Sequence, residues 1–552
     1  MSKGEKFCFL CFSLVFLLLL AGISYLPAQQ KPLTVAESSQ FKATSRYADV
    51  INFIQNLEQQ SNRLRVEKLC LSSEGRYVPL LIIGDPPPSS PLDLKGDDRA
   101  VIYIEANIHA GEVEAKEASL MLARDIVLAK SPPYLDKLVI LMAPIFNADG
   151  NEKISPENRR NQHGPEEGVG VRYNGQYLDL NRDAMKLETP EVRGLVQNVL
   201  CRWDPVLFFD GHTHNGSYHR EPVTYVWGLN PNGDSSIIAY LRDEMMSAIS
   251  HILKKKYKIL SIPHGDFMDV KNPDKGWQTL GPQPRYITNY IGLRNRLAIL
   301  NENYPYTDFK TRVYGCYHFL KSILDYCSAH KNEIKKLIAQ ADRKTILRGL
   351  NPSPKDTFAV KYDLKPMAKK LTILGYEMKV TKKSGNWPQV KIIDKKRTYH
   401  PPYYCNYIAK RTVQFPYAYL IPFSFPEVKE KLLQHGIVVE RLTRSVTLEV
   451  QSFKIKEIKS QDRIYQGHRL NTVKGEYRLE NKEFPAGTLF IGTAQPLANV
   501  IAYLLEPESD DGFFVWNFFD RYLVPEWGRG YRDYPVYKLL HPTFLAKKVI
   551  RE

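Results

Sequence analysis

The chain contains Val101-Ile102-Tyr103-Ile104-Glu105-Ala106-Asn107-Ile108 followed directly by His109-Ala110-Gly111-Glu112. The apolar run is typical of a buried β-strand. An imidazole and a carboxylate three residues apart can turn to the same side of a tight turn or helix start, which suits a small tetrahedral metal ion. A third ligand then has to come from a distant part of the chain.

A second apolar run, Val206 to Phe209, leads into Asp210-Gly211-His212-Thr213-His214-Asn215 and offers that ligand. Two histidines and one glutamate would leave the fourth position of a zinc ion open for water, as a catalytic zinc site requires. His212 and His214 lie two residues apart and would point to the same face of a strand. Their spacing therefore leaves both open as the third ligand.

Further motifs follow in a fixed order. They are Asn147-Ala148-Asp149-Gly150, Asn158-Arg159-Arg160-Asn161, Leu178-Asp179-Leu180-Asn181-Arg182-Asp183 and Leu297-Ala298-Ile299-Leu300-Asn301-Glu302. With the His-x-x-Glu pair and the distant histidine, this order resembles the zinc carboxypeptidases of the carboxypeptidase A-like family. The resemblance covers residues 40–330 and implies one zinc ion per chain. It implies an exported, bacterial-type member with a C-terminal extension.

The resemblance also implies a role for each matching residue. The zinc ligands would be His109, Glu112 and His212, since the family places the third ligand at the histidine that ends the strand. Glu302 matches the carboxylate that takes a proton from the attacking water and passes it to the leaving amine. The remaining matches are Arg159 for the scissile carbonyl, Asn181 and Arg182 for the terminal carboxylate of the substrate, Tyr286 as a tyrosine over the substrate, and Asp179 behind the first zinc histidine. The chain departs from the digestive enzymes at Gly111, where they carry a basic residue.

Strand-like and helical runs alternate from residue 47 to residue 329. This alternation predicts an α/β fold, an open mixed sheet with helices on both faces, and a catalytic domain over residues 40–330. The candidate residues follow predicted strands, and ligand sites of such sheets gather at the carboxyl ends of strands. Residues 350–552 have short runs rich in Tyr, Val, Ile and Thr, which predict a β-rich C-terminal region of unknown role.

The composition excludes few functional classes. The formal charge is +16, with a basic cluster between Lys379 and Arg397, but no nucleic-acid motif accompanies it, so we expect no nucleic-acid partner and interpret the cluster as a solvated loop. Seven cysteines are present, two of them near the N-terminus. The other five are widely spaced and form neither a disulfide framework nor a Cys-x-x-Cys metal site, although Cys316 and Cys327 could pair.

The N-terminus has the features of a secretory signal over residues 1–28. Lys3 and Lys6 precede an apolar stretch from Phe7 to Ile23, and Ala28 is a plausible cleavage position. We expect an exported protein, periplasmic or extracellular, without stable membrane insertion after cleavage. The alternative is an uncleaved anchor, because 17 apolar residues lie at about the lower limit for spanning a bilayer.

These observations predict a zinc metallocarboxypeptidase acting on peptides with a free C-terminal carboxylate. One alternative is a zinc amidase or endopeptidase that acts on peptidoglycan stem peptides. Another is a non-catalytic binding protein whose C-terminal region recognises a polymer. The complete set of His109, Glu112, His212 and Glu302 argues against the binding protein.

Overall fold

A computed structural model describes residues 31–214, 216–384 and 387–550. The predicted signal segment 1–28 lies outside the described residues. The chain divides into Met1–Leu33, of which only 31–33 are described, and a compact unit, Thr34–Glu552. Within the described ranges, no helix is both long enough and apolar enough to cross a bilayer.

The N-terminal half of the unit is built on an eight-stranded mixed sheet with the strand order β1-β2-β4-β3-β5-β10-β6-β7. Its central strands β4, β3, β5 and β10 run parallel to one another. The strands of this half are β1 (Leu64–Leu71), β2 (Tyr77–Ile83), β3 (Ala100–Ala106), β4 (Leu138–Ala143), β5 (Leu207–Thr213), β6 (Val223–Trp227), β7 (Ser261–Pro263), β8 (Asp266–Phe267), β9 (Trp277–Gln278) and β10 (Leu297–Asn303). The α/β prediction with an open mixed sheet is confirmed.

Both faces of the sheet centre are covered. Every residue of β3, β4 and β5 is buried. Successive side chains of a strand point to opposite faces, so full burial requires packing on both sides. Polar side chains at the ends of these strands are therefore held in a rigid, largely dry setting.

Helices connect and cover the strands. They are α1 (Val35–Ser38), α2 (Tyr47–Gln60), α3 (Glu114–Val127), α4 (Ala148–Asn151), α5 (Pro190–Gly194), α6 (Ser235–Ala239), α7 (Met246–Tyr257), α8 (Ile287–Leu293), α9 (Phe309–Leu350), α10 (Pro426–Gln434), α11 (Ala498–Leu505) and α12 (Asp520–Leu523). Two π-helical segments, Leu195–Cys201 and Tyr240–Met245, continue α5 and α6. Short 3₁₀ turns lie at Pro91–Leu94, Leu180–Arg182 and Pro273–Lys275.

Helix α9 is much longer than the sequence pattern predicts. The pattern gives one helix ending near residue 329 and another over 331–346, whereas α9 continues to Leu350 with a single irregular residue at His330. Ile334, Ile338 and Ala341 of its second half are buried, and this apolar face keeps the helix intact beyond the irregular position. The predicted domain end at 330 thus falls inside a helix, and the domain limits stay a prediction.

The C-terminal region is rich in strands, as predicted. They are β11 (Thr357–Pro366), β12 (Ile373–Ser384), β13 (Trp387–Tyr399), β14 (Tyr403–Gln414), β15 (Ala418–Ile421), β16 (Glu440–Leu442), β17 (Val446–Ser460), β18 (Asn471–Phe484), β19 (Leu489–Gly492), β20 (Tyr537–Leu539) and β21 (Lys547–Val549). Seven of them form a sheet in the order β18-β17-β20-β15-β19-β16-β21. Strand β14 pairs in parallel with β9 of the N-terminal half, so one small sheet contains strands from both regions.

A buried histidine also joins the two regions. The Tyr290 hydroxyl donates to Nδ1 of His435 at 2.7 Å, and Nε2 of His435 donates to the carbonyl of Met185 at 3.1 Å. A carbonyl can only accept, which fixes the proton of the neutral ring on Nε2. Burial lowers the pKa of His435 to about 3. The five cysteines among the described residues are all free thiols, Cys316 and Cys327 included.

Candidate active site

Two neighbouring strands bring the predicted metal ligands together. His109 and Glu112 lie in the turn after β3, and His212 lies in β5, which pairs in parallel with β3. Nδ1 of His212 is 3.1 Å from Nδ1 of His109 and 2.8 Å from Oε2 of Glu112. One donor atom from each of the three buried residues lies within 4.8 Å of the others, so they can hold one metal ion.

A carboxylate lies behind each of the two histidines. Asp179 Oδ1 is 3.0 Å from Nε2 of His109, and Asp210 Oδ2 is 2.8 Å from Nε2 of His212. Asp179 can only accept here, so it favours the proton on Nε2 of His109 and leaves the Nδ1 lone pair of that ring free, whereas Asp210 makes an ion-pair contact with His212 and no hydrogen bond. The His109 ring is therefore set to offer Nδ1 towards Glu112, and Nδ1 of His212 lies 2.8 Å from Oε2 of the same residue, which fits a bound zinc ion.

The electrostatics of the cluster agree with this arrangement. Burial opposes ionisation of Glu112, but His109 and Arg159 outweigh it and hold its pKa well below the usual value. Burial likewise disfavours a charged His212, yet Asp210 and Glu112 raise its pKa well above normal. The pocket thus stabilises a positive charge beside Glu112, whether a proton or a metal ion supplies it.

The turn that carries His109 and Glu112 is shaped by small and polar residues. Asn107 has a φ of +66° and its side-chain amide donates to the carbonyls of Ala110 and Glu112. A Cβ atom on Gly111 would lie 2.6 Å from Cδ of Arg159 and 2.8 Å from the carbonyl oxygen of Gly170. Gly111 therefore makes room for the Arg159 stem where the digestive enzymes carry a basic side chain.

Glu302 lies beside the cluster on the next strand. Strand β10 pairs in parallel with β5, and Glu302 is the register partner of His212. Its side chain is partly buried, and Oε2 has no hydrogen-bond partner among the described residues. Burial and the nearby Glu112 carboxylate raise the pKa of Glu302 to about 8, although His212 acts in the opposite direction.

Two arginines, Arg159 and Arg172, lie against the cluster. Arg159 donates from Nη1 to Glu112 at 2.8 Å and from Nη2 to the carbonyl of Thr213 at 2.5 Å. Arg172 donates to Oδ2 of Asp179 at 2.7 Å and lies 3.8 Å from Glu112. The exposed Arg160, the neighbour of Arg159, pairs with Glu157 away from the cluster.

Arg182 and Asn181 occupy the short turn after Asp179. The Asn181 side chain accepts from the backbone of Ile287 at 2.9 Å, and its Nδ2 lies 3.2 Å from His212. The guanidinium of Arg182 lies over the ring of Tyr286 at 4.4 Å, so this predicted pair is in direct contact. Tyr286 immediately precedes α8.

One cavity of about 250 Å³ contains all the candidate residues except Asp179, which lies behind its wall. The lining is His109, Glu112, Arg159, Arg172, Asn181, Arg182, His212, Thr213, His214, Gly216, His264, Asp266, Leu280, Tyr286, Leu300 and Glu302. His214 belongs to the wall and not to the ligand cluster, and burial lowers its pKa to about 3.

Asp210 and Arg172 are two of the polar residues near the ligand cluster that lie outside the predicted set. Asp210 had a usable signal, because it lies two residues before His212 and must share its face of β5. Arg172 had no such signal, since the loop that contains it has no regular secondary structure.

A family model described as zinc carboxypeptidase matches residues 50–255. Residues 50–255 therefore match the zinc carboxypeptidase family. The matched residues contain the His-x-x-Glu pair, the arginine loop, the Asp-x-Asn-Arg element and His212, whereas Glu302 lies beyond the match. The activity that this match indicates is that of a zinc metallocarboxypeptidase, so the protein is an enzyme.

Similar proteins extend beyond the matched segment. Carboxypeptidase 2 of Trichophyton tonsurans is 20% identical over 525 residues, covering 88% of this chain and 87% of its own. Carboxypeptidase 2 of Trichophyton rubrum is 20% identical over 477 residues, covering 80% and 78%. Among solved structures, a metallo-carboxypeptidase from Burkholderia cenocepacia is 17% identical with a TM-score of 0.38, covering 51% of this chain and 69% of that chain. Coverage of 88% necessarily includes part of the C-terminal region.

Proposed function

We propose that this protein removes the C-terminal residue of peptides with one zinc ion bound by His109, Glu112 and His212. The observation that carries the proposal is the single cavity that contains the three donor atoms, a carboxylate and an arginine beside an aromatic ring. Nδ1 of both histidines faces Glu112 while each Nε2 lies within 3.0 Å of a carboxylate oxygen, so the donor set fits zinc. When bound, zinc would polarise the scissile carbonyl and make water a stronger nucleophile.

Glu302 is the proposed general base and acid. Its Oε2 has no hydrogen-bond partner among the described residues, which leaves it able to accept a proton from water. A carboxyl group with a raised pKa also holds that proton long enough to give it to the leaving amine. The same group can therefore serve both proton transfers.

Arg159 and Arg182 have different proposed roles. Arg159 is fixed by Glu112 and by the Thr213 carbonyl, so its positive charge is preorganised next to the ligand cluster for the developing oxyanion. Arg182, with Asn181, would bind the free carboxylate of the substrate, since guanidinium and carboxylate can form two parallel hydrogen bonds. The free C-terminus of the substrate would therefore bind on the Tyr286 side of the cavity.

The test compares a peptide that has a free C-terminal acid with the same peptide as its C-terminal amide. The wild-type enzyme should cleave the acid much faster. Arg182→Ala should lower kcat/KM for the acid by about 10- to 150-fold, because a hydrogen bond to a charged group contributes about 1.5–3 kcal/mol. The amide should be affected far less.

Arg160→Ala is the matched control, because Arg160 is exposed and pairs only with Glu157 among the described residues. It should behave as wild type on both peptides. Equal cleavage of acid and amide by the wild-type enzyme would overturn the carboxypeptidase proposal. The amidase or endopeptidase acting on peptidoglycan stem peptides would then take its place.

We further propose that the protein is exported to the periplasm or the extracellular space. The proposal rests on the N-terminal sequence, with Lys3, Lys6 and the apolar stretch from Phe7 to Ile23. N-terminal sequencing of the protein purified from culture medium or periplasm tests it. A mature chain that begins after residue 28 is expected, whereas a full-length chain retained in the membrane fraction would contradict cleavage.

A further inference from the structure

A tight turn of the C-terminal region contacts residues of the active site. Strands β17 and β18 form a long antiparallel hairpin, and the segment that joins them contains Tyr465-Gln466-Gly467-His468. The backbones of Tyr465 and His468 exchange two hydrogen bonds, of 2.7 and 3.0 Å. Gln466 and Gly467 have φ values of +52° and +82°, which is the pattern of a two-residue hairpin turn with glycine where a positive φ is needed. The turn is therefore well defined.

Three successive contacts tie this turn to the catalytic region. The Tyr465 hydroxyl accepts a hydrogen bond from Nε of Arg182 at 2.9 Å. The Gln466 side chain accepts from the backbone N–H of Asp179 at 2.8 Å. Nε2 of His468 lies 2.7 Å from Oε1 of Glu188. The turn thus contacts both the arginine of the cavity and the residue that holds the first zinc histidine.

Tyr465 also has neighbours other than Arg182. Its ring stacks on that of Trp516 at a centroid distance of 6.3 Å, and the guanidinium of Arg285 lies 5.5 Å from its centre. Arg285 pairs with the buried Asp511 at 3.0 Å, and Asp511 accepts from the indole of Trp516 at 2.8 Å. The hydroxyl is therefore presented to Arg182 from a rigid base.

These contacts determine what Arg182 can offer a substrate. Its Nε is used by Tyr465, one hydrogen of Nη1 by the Asn181 carbonyl at 2.7 Å, and one face by the Tyr286 ring. Nη2 makes no hydrogen bond to the described residues, so its two hydrogens and the second hydrogen of Nη1 remain for the two parallel bonds that a carboxylate accepts. An arginine held in this way does not lose rotamer freedom when substrate binds.

We propose that Tyr465 is a positioning residue that holds Arg182 for the terminal carboxylate, so that the C-terminal region completes the substrate site. The inference rests on the proposed function, which assigns the carboxylate to Arg182. Tyr465 acts on substrate binding through Arg182 and takes no part in the proton transfers. Its loss should therefore change KM and leave kcat nearly unaltered.

Tyr465→Phe in the full chain tests this, because it removes the hydroxyl and keeps the stacked ring. KM for the free-acid peptide should rise about three- to tenfold, the effect of one lost hydrogen bond, while kcat stays within about twofold. kcat/KM for the amide should not change. Ile464→Ala is the matched control, since Ile464 is 63% exposed in the same segment and should behave as wild type.

A double-mutant cycle separates positioning from a general structural effect. If Tyr465 works through Arg182, adding Tyr465→Phe to Arg182→Ala should have no further effect on the acid. Additive losses, or an equal loss on acid and amide, would overturn the inference. So would an unchanged KM in Tyr465→Phe when the wild type prefers the acid. A wild type without that preference would instead refute the proposed function, and the role of Tyr465 with it.

Discussion

Replacing Asp179 tests how much this carboxylate, which accepts a hydrogen bond from His109, contributes to the proposed zinc binding. Its Oδ1 accepts from Nε2 of His109 and from the backbone of Asn181, and its Oδ2 accepts from Arg172. All three neighbours are hydrogen-bond donors, so both carboxylate oxygens of Asp179 are needed as acceptors. In Asp179→Asn one oxygen becomes an amide NH₂, which must face a donor in either orientation.

The two orientations of the amide have different costs. With its oxygen towards His109, the amide loses the Arg172 bond and the charge that makes His109 a stronger ligand. With its nitrogen towards His109, it favours the tautomer with the proton on Nδ1, the atom that should bind zinc. Loss of such a partner typically lowers metal affinity about 10- to 100-fold, or about 1.4 to 2.7 kcal/mol. We expect Asp179→Asn near the lower end and Asp179→Ala, which has no acceptor, near the upper end.

Competition with a zinc chelator measures the dissociation constant directly. Asp149→Asn is the control, because Asp149 is an equally buried carboxylate that bonds to Ser72, Ser73 and Arg76 and touches no predicted zinc ligand. It should bind zinc as the wild type does. Wild-type affinity in both Asp179 variants would refute the argument that this carboxylate orients His109.

Three further outcomes are expected. Glu302→Gln should retain zinc but lose kcat by at least about 100-fold, and a nearly unchanged kcat would remove Glu302 from its role. His212→Ala should lose the bound metal and His214→Ala should keep it, as metal analysis of the purified variants would report, with the reverse result reassigning the third ligand. His435 should make the protein less stable in acid. Its folded pKa is about 3, below the ordinary value of 6.5, so its contribution to the free energy of unfolding is fully present above pH 6.5 and decreases as the pH falls. Between pH 7 and 4.5 the wild type should therefore lose about 2–3 kcal/mol more unfolding free energy than His435→Asn in urea titrations, and parallel pH profiles would contradict this.

The catalytic core was predictable because its signals are local. Apolar runs mark β3 and β5, and each is followed at once by the residues that converge, His109 with Glu112 and His212. The parallel pairing of such strands brings their carboxyl ends to one edge. The position of Glu302 beside His212 also follows from pairing of adjacent strands.

Features that depend on distant partners were not predictable. Tyr465 lies 283 residues from Arg182, and nothing in the sequence around it indicates a contact with the cavity. Arg172 lies in an irregular loop where periodicity gives no direction to a side chain. The continuation of α9 beyond residue 330 depends on burial of Ile334 and Ile338 against tertiary neighbours, which override the local pattern.

Helix α9 has a consequence for how the molecule unfolds. Tyr317 in its first half donates to Asp125 of α3, and Arg348 near its end donates to Asn499 of α11, so one continuous helix contacts both the catalytic region and the C-terminal region. If a proteolytic cut near residue 330 were followed by separation of the fragments, Ile334, Ile338 and Ala341 would be exposed on one and Arg182 would lose Tyr465 on the other. Unfolding of either half of α9 would remove contacts from the other half. The helix therefore favours a single cooperative unfolding transition.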